Sequence, residues 1–256
     1  DRKPKTLSAG QRQRVAVGRA TVRVPDVFLL DEPLTHMDAG ERIRLRTELS
    51  QLQHGLGVTA VYVTHDQSQA MAIGDRVAVM RGGRIEQVDE PRTLYRRPAN
   101  TFVASFMGEP AMNLLSGYVE EDGGRTYVVL GGQRLPFPGT PSGLMRGRTG
   151  PVTVGIRPEN VTDAGSEPGL PVLFSTAGRI ERLGHQLLVS CPIATTSVTV
   201  ADAPGVDREP PGPAQLVARF PGGHPVRHGD RVELAVDVSE LSLFDPATGE
   251  ALWNPA

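Results

Sequence analysis

The chain has 256 residues, of which 39 % are hydrophobic and 22 % charged, and its net charge is −2. This composition is ordinary for a folded globular protein, and the weak charge argues against nucleic acid as a partner. A single cysteine, Cys191, excludes an internal disulfide and a cysteine-based zinc site and favours a reducing cytosol. No apolar run reaches the about 18 to 20 residues of a membrane span. We therefore expect any membrane role to be peripheral.

The first predicted element is a helix that begins at Ser8. Ser8 and Gln11 have the spacing of a capping box, and the apolar residues Val15 and Ala20 follow on the same helix. A helix N-terminus with Gly10 in its first turn presents free backbone N–H groups and the positive end of the helix dipole, which suit a phosphate. The spacing alone leaves two interpretations open, a simple helix cap and a phosphate-binding turn.

Alternating apolar runs and amphipathic stretches predict a largely parallel sheet in the next part of the chain. VFLLD and VTAVYVTH each have the continuous apolar character of a buried strand, and the stretch between them has a helical stripe. The expected elements are strand 27–31, helix 39–54, strand 58–65, helix 67–73 and strand 76–80, which ends in a hairpin-like turn at Gly82 and Gly83.

Residues 91–107 are expected to be helical, with a break at Pro98, and the composition changes after them. Many short β-rich runs separated by Gly and Pro then predict a small barrel or sandwich. We place the domain boundary near Gly108 to Asn113 and a loop at 203–213. The predicted strands are 127–130, 152–156, 172–174, 186–190, 197–200, 215–220 and 232–238.

Three side chains at the ends of the two predicted buried strands can carry chemistry. Asp31 could hold a hydrated Mg²⁺, and Glu32 could orient and deprotonate a water for attack on a phosphate. His65 ends the neighbouring strand, where an imidazole could contact a phosphate or the attacking water. The alternative is that the two carboxylates cap the loop before Pro33 and that His65 is structural or solvated.

The order LSAGQ, LLDEP, an Asp-containing turn at 35–38 and then His65 closely resembles the ATP-binding subunit of ABC transporters. The resemblance is in particular to carbohydrate importers of the maltose and glycerol-phosphate type, and it continues through GIRPENV, HGDRVELAV and LFDPATGEAL. It implies an α/β fold: an incomplete P-loop NTPase domain over 1–107, followed by a small all-β, OB-like barrel over 108–256 that is often called TOBE.

Carried over position by position, the resemblance assigns a role to each motif residue. The signature motif closes over ATP held by the opposite subunit of a dimer, Walker B organises Mg²⁺, and the D-loop communicates between the two sites. The matching residues are Ser8, Ala9, Gly10 and Gln11 (signature), Asp31 (Walker B), Glu32 (catalytic glutamate), Asp38 (D-loop) and His65 (switch histidine).

Two departures from the family pattern lie in these motifs. Ala9 stands where the family usually has glycine, which adds a methyl group close to the phosphate path. In the D-loop, the usual Ser-Asn-Leu is replaced by Thr35, His36 and Met37. Packing at the dimer interface is therefore expected to differ from that of the family. Neither change removes a charged or proton-transferring group.

The phosphate-binding P-loop, G-x-x-x-x-G-K followed by Ser or Thr, has no match in this sequence. Lys3 and Lys5 are its only lysines, and neither follows a glycine. The backbone donors and the lysine of the P-loop make most of the contacts with the β- and γ-phosphates of ATP. We therefore expect this chain alone neither to bind nor to hydrolyse ATP appreciably. The same resemblance places the missing strands earlier, so the strand 27–31 is expected to keep an uncovered apolar face.

Three hypotheses follow. The first, which we favour, is that the chain is the C-terminal portion of an importer ATPase. The second is that it is a non-catalytic partner whose signature turn completes an ATP site of an intact subunit. The third is that only the barrel acts, as a regulatory or ligand-binding module. The resemblance implies ATP and Mg²⁺ in the complete dimer and attachment to the cytoplasmic face of the membrane. The implied partners are a second ATP-binding subunit, transmembrane permease subunits, a solute-binding protein acting indirectly, and a regulatory protein on the C-terminal domain.

Overall fold

A computed structural model of the chain describes residues 6–22, 26–35, 37–137, 149–200 and 213–255. The chain divides into two compact units, Asp1–Val77 and Ala78–Ala256. This division falls about 30 residues before the domain boundary that we place near Gly108 to Asn113, and that boundary stays a prediction.

The first unit combines three helices with a parallel pair of strands. The pairing runs in register from Val27 opposite Thr59 to Asp31 opposite Val63, so both strands end at the same edge. This confirms the predicted order of elements and the parallel pairing. The elements are α1 (Ala9–Thr21), β1 (Val27–Asp31), α2 (Ala39–Leu56), β2 (Thr59–Val63) and α3 (Gln67–Ile73).

The expectation that β1 and β2 are buried strands is wrong, whereas the expectation that strand 27–31 keeps an uncovered apolar face is confirmed. On one face Phe28 is buried, and Tyr62 packs against a small core. On the other face Leu29 is 78 % exposed and Val61 50 % exposed. A continuous apolar run is typical of a strand covered on both faces, but within the described residues only one face is covered. The core consists of Leu34, Met37, Leu45 and Leu49.

A hairpin and two short helices follow, as predicted. Gly82 and Gly83 have φ values of 53° and 78°, a left-handed conformation that glycine adopts without steric cost. The hairpin was expected to continue the first sheet, whereas in the described residues it forms a two-stranded sheet of its own. The two helices are separated around Pro98. The elements are β3 (Val77–Arg81), β4 (Arg84–Asp89), α4 (Pro91–Arg96) and α5 (Thr101–Phe106).

The rest of the second unit is built from antiparallel sheets, which confirms the predicted β-rich architecture. A six-stranded sheet has the order β16-β15-β8-β5-β6-β7, and two three-stranded sheets have the orders β10-β14-β9 and β11-β12-β13. The strands are β5 (Asn113–Asp122), β6 (Arg125–Leu130), β7 (Gln133–Pro136), β8 (Gly150–Ile156), β9 (Val161–Asp163), β10 (Val172–Thr176), β11 (Ile180–Arg182), β12 (Gln186–Ile193), β13 (Ala214–Pro221), β14 (Arg231–Val236), β15 (Ser242–Phe244) and β16 (Ala251–Trp253).

The three sheets enclose one hydrophobic core. Alternate residues of β12 are buried, as expected for a strand with one face inward, and residues from all three sheets belong to the same cluster. Cys191 lies in this cluster, and burial raises the pKa of its thiol to about 12. The cysteine is therefore a small hydrophobic core residue rather than a reactive thiol.

In the second unit one predicted strand does not form, and one long strand was not predicted. Residues 197–200 do not form a strand, because Ser197 makes only an isolated bridge with Leu115 of β5. This bridge lies beyond the end of the pairing between β5 and β6. The strand β5 was missed because Gly117 interrupts its pattern. A Cβ at Gly117 would lie 2.6 Å from a Val154 methyl, so the close approach of β8 requires glycine. The loop predicted at 203–213 lies, except for Pro213, outside the described residues.

Candidate functional site

The first turn of α1 is a capping box, as the sequence predicts. The Gln11 backbone N–H donates to Ser8 Oγ at 3.2 Å, and the Ser8 backbone N–H donates to Gln11 Oε1 at 3.1 Å. The cap uses the Ser8 hydroxyl as an acceptor, which leaves its O–H available as a donor. The helix cap and the phosphate-binding turn are therefore compatible interpretations of the same residues.

This turn packs against the start of α2. Gly10 is buried, and a Cβ there would lie 3.5 Å from a Glu41 carboxylate oxygen and 3.9 Å from Met37 Cγ. Arg14 Nη2 lies 2.6 Å from Glu41 Oε1, and both side chains are about two-thirds buried. Asp38 caps α2 by accepting a bond from the Glu41 backbone N–H at 2.8 Å. The predicted signature turn and the predicted D-loop aspartate are thus joined through Glu41.

Asp31, Glu32 and His65 lie at the common edge of β1 and β2, as the parallel pairing requires. Glu32 and His65 are in contact, because His65 Nδ1 lies 2.8 Å from Glu32 Oε1. Asp31 is the last residue of β1 and is exposed. An exposed carboxylate offers the hard oxygen that Mg²⁺ prefers, and Mg²⁺ commonly uses one or two carboxylates together with waters and phosphates.

Thr35 is a neighbour of Glu32 that the sequence analysis noted only as a departure from the family pattern. Its hydroxyl donates to Glu32 Oε2 at 2.7 Å, so each oxygen of the Glu32 carboxylate has a side-chain partner. His36 lies outside the described residues, and the side chain of Ala9 is likewise not described. Nothing in the sequence pattern identified Thr35, because the contact depends on how the loop turns after β1.

A polar network holds the segment that follows His65. Asp66 caps α3 by accepting bonds from Gln69 N at 3.0 Å and Gln69 Nε2 at 2.8 Å. The Tyr62 hydroxyl donates to Gln69 Oε1 at 2.7 Å, and Arg42 Nη1 lies 3.6 Å from Asp66 Oδ2. Burial raises the pKa of Asp66, but the bonds from Gln69 and the charge of Arg42 outweigh it and hold the pKa below its ordinary value. This network fixes the backbone from which His65 projects.

Sequence reasoning did not single out Glu41, Arg42, Asp66 or Gln69, and it favoured a solvated helix flank for the basic cluster that includes Arg14. For Asp66 and Gln69 a signal existed, because an Asp three residues before a Gln has the spacing of a helix cap. The contacts of Arg14 and Arg42 join residues far apart in sequence, so no local pattern indicates them.

The described residues contain neither a membrane-spanning helix nor a ready-made cluster of metal ligands. No helix in this part of the chain is long and apolar enough to cross a bilayer. Within the same ranges, no group of three or more His, Cys, Asp or Glu side chains could hold a metal ion by itself.

Glu32 should raise the pKa of His65. The hydrogen bond and the negative charge of Glu32 outweigh the small effect of burial, so the His65 pKa lies above its usual 6.5. The ion pair contributes to stability in full below 6.5 and is lost as the pH rises through the raised pKa. We expect Glu32→Gln to lower the His65 pKa toward 6.5, measured from the imidazole proton shifts in an NMR titration.

The exposed residue Glu48 provides the control for this titration, because it pairs with Arg44 on α2 at 3.6 Å. Glu48→Gln should leave the His65 pKa unchanged. A His65 pKa that is equal in the native chain and in Glu32→Gln would show that the pair does not form in solution.

Comparison with known proteins gives matches over both units. A family model described as "ABC transporter" matches residues 1–35, and one described as "MalK OB fold domain" matches residues 108–161. The trehalose/maltose import ATP-binding protein MalK of Thermococcus litoralis is 41 % identical over 261 residues, covering 99 % of this chain and 64 % of the relative.

Two further relatives have similar names and similar coverage. The sn-glycerol-3-phosphate import ATP-binding protein UgpC of Chromohalobacter salexigens is 42 % identical, covering 96 % of this chain and 60 % of the relative. The trehalose import ATP-binding protein SugC of Mycobacterium tuberculosis is 41 % identical, covering 100 % of this chain and 67 % of the relative. The chain thus spans about two thirds or less of the length of the relatives named here.

Proposed function

Because the chain belongs to the ABC transporter family of import ATP-binding proteins, we propose that it is the catalytic and dimer-closing portion of an importer's ATPase subunit. The observation that carries this proposal is the contact between Glu32 and His65 at the common edge of two parallel strands. Ligands of α/β sheets bind at the carboxyl ends of the strands, so a water and a phosphate would meet this pair there.

Each group at the edge has a distinct chemical task in this proposal. Glu32 orients the attacking water and accepts its proton, and His65 offers N–H groups to Glu32 on one side and to a phosphate oxygen on the other. Asp31 would hold Mg²⁺, which neutralises charge on the phosphates of ATP when bound. These roles for Asp31, Glu32 and His65 are proposals from their position and from the family resemblance.

The signature turn would act on a different ATP molecule. The backbone N–H groups of Ser8 and Gln11 are used within the cap, so the donors for a phosphate would be the Ser8 hydroxyl and the N–H groups of Ala9 and Gly10. The packing of Gly10 on Glu41 ties this turn to the start of α2, which Asp38 caps. We propose that this turn closes over ATP held by a second ATP-binding subunit. Asp38 caps α2 within one chain, and communication between the two ATP sites would be an additional role.

The proposed cargo is a carbohydrate or a polyol phosphate, by analogy with the relatives named for trehalose, maltose and glycerol phosphate import. The proposed partners are transmembrane permease subunits, an indirectly coupled solute-binding protein, and a regulatory protein on the β-rich part. The place of action would be the cytoplasmic face of the membrane.

The test uses a completed chimera, in which this chain is joined behind the part of the Mycobacterium tuberculosis relative that it does not match, where the family resemblance places the P-loop. Because the 256 residues contain no G-x-x-x-x-G-K motif, we expect calorimetry to detect no Mg²⁺-ATP binding by the chain alone. The completed chimera should bind Mg²⁺-ATP and hydrolyse it. A chimera whose P-loop lysine is replaced by alanine is the control for specific binding.

Two outcomes would contradict the proposal. One is specific ATP binding by the chain alone at a level similar to that of the chimera. The other is a folded chimera, verified by circular dichroism, that binds ATP but shows no turnover above the P-loop control.

A further inference from the structure

The Glu32 carboxylate is held from two sides. His65 Nδ1 lies 2.8 Å from Oε1, and the Thr35 hydroxyl donates to Oε2 at 2.7 Å. The side chain of His65 is 74 % exposed, so little packing restrains the imidazole. Thr35 is half-buried and lies in a tight turn, which makes it the more rigid of the two contacts.

The backbone around Glu32 is strained and tightly bonded. Glu32 has φ 45°, in the left-handed region that non-glycine residues seldom adopt because of its steric cost. Its N–H donates to the Val63 carbonyl at 2.9 Å, and its carbonyl accepts from Thr35 N–H at 3.3 Å. Strain of this kind persists where the surroundings over-determine a conformation, and it is often found at functional sites.

The loop after Glu32 is anchored in the small core of the first unit. Leu34 is 2 % exposed and Met37 is 6 % exposed, and both pack in the same cluster as Leu45 and Leu49. Thr35 follows Leu34 directly, so core packing restrains the backbone from which the Thr35 hydroxyl projects. The hydroxyl is therefore well placed to hold the Glu32 carboxylate.

From these contacts we propose that Thr35 is a positioning residue for Glu32. Its hydroxyl fixes Oε2 and thereby the rotamer that directs Oε1 toward His65. This inference rests on the proposed role of Glu32 in activating water. A carboxylate oxygen accepts two hydrogen bonds, so the Thr35 contact orients Glu32 without removing its capacity to bind a water.

Two substitutions distinguish the effect of the Thr35 hydroxyl from the effect of its side-chain volume. Thr35→Val keeps the shape and removes the hydroxyl, whereas Thr35→Ser keeps the hydroxyl. With Thr35→Val the carboxylate gains rotamer freedom, so the NMR-measured pKa of His65 should move toward the value found in Glu32→Gln. Thr35→Ser should restore the native value. Thr47→Val, which removes a hydroxyl bonded to the Ile43 carbonyl within α2, is the matched control and should leave the His65 pKa unchanged.

A kinetic measurement in the completed chimera gives a second readout. A misplaced Glu32 affects the chemical step and leaves ATP binding intact, so Thr35→Val should lower kcat about 10- to 100-fold with KM for ATP nearly unchanged. Thr35→Ser should recover most of the lost kcat. The inference is overturned if Thr35→Val retains both the native His65 pKa and the native kcat while Glu32→Gln changes them. If Glu32→Gln itself leaves kcat unchanged, the proposed function fails instead.

Discussion

Replacing Glu32 by glutamine in the completed chimera is expected to lower ATP turnover by about 10²- to 10⁴-fold, the range that a positioned general base contributes. The amide has nearly the shape of the carboxylate and can still accept a bond from Thr35, but it cannot take a proton from water. The loss should appear in kcat, measured by steady-state phosphate release. Mg²⁺-ATP binding should be retained, because no phosphate-binding donor is removed.

Glu48→Gln is the matched control for turnover, because it makes the same chemical change on an exposed part of α2. It should leave kcat and KM at their native values. A second variant, His65→Ala, should also reduce kcat, and the double variant should lose less than the product of the two single effects, because Glu32 and His65 act as a unit. Native turnover by Glu32→Gln would show that another group activates the water.

Local spacing in the sequence predicted the parts of the site that depend on short-range rules. The Ser8–Gln11 capping box forms as its spacing indicates, and the parallel strands bring Glu32 and His65 together at one edge. Both features follow from periodic geometry: a helix cap is complete within four residues, and parallel strands end on the same side of a sheet.

Contacts set by loop shape and by distant parts of the chain could not be predicted in this way. The Thr35 hydroxyl reaches Glu32 only because the loop turns through a left-handed residue, and Arg14 meets Glu41 across 27 positions of sequence. The burial of β1 was overestimated for a related reason. An apolar run shows which side chains of a strand are suited to burial. Whether they are buried depends on which other elements pack against the strand.

Arg157 is a second feature that only the structure explains. Arg157 belongs to the GIRPENV stretch, which is part of the family resemblance, and in the fold it is 3 % exposed. Its guanidinium stacks on the Tyr95 ring at 3.9 Å and donates to the carbonyls of Tyr95, Ala104 and Met107. Burial lowers the pKa of Arg157 from its ordinary value, but an arginine of this kind remains charged at neutral pH.

The carbonyl groups that Arg157 binds lie at or near the C-terminal ends of α4 and α5, where a cation also interacts favourably with the helix dipole. Arg157 itself follows directly after β8. The side chain therefore joins the two short helices to the central sheet of the second unit. Neither helix is long enough to be stable alone, so this connection is expected to be a main contribution to their stability.

We expect Arg157→Met to destabilise the second unit by about 4 kcal/mol, because three buried carbonyls lose a charged donor and methionine cannot replace it. This corresponds to a fall in Tm of about 10 °C for a unit of this size. Trp253 is the only tryptophan of the chain, and it packs edge-on against Phe137 at a centroid distance of 4.8 Å. Its fluorescence therefore reports the unfolding of the second unit during a thermal scan.

Arg92→Met, on the exposed face of α4, is the control and should leave the Trp253 transition within about 0.5 kcal/mol of the native one. Arg157→Lys should give an intermediate loss, because the ammonium keeps the charge but cannot match the planar fork that reaches three carbonyls. If Arg157→Met and Arg92→Met had the same transition midpoint, the helices would not share a cooperative unit with the sheet. A lowered midpoint for Arg157→Met alone would place α4, α5 and the β-rich part in one folding unit.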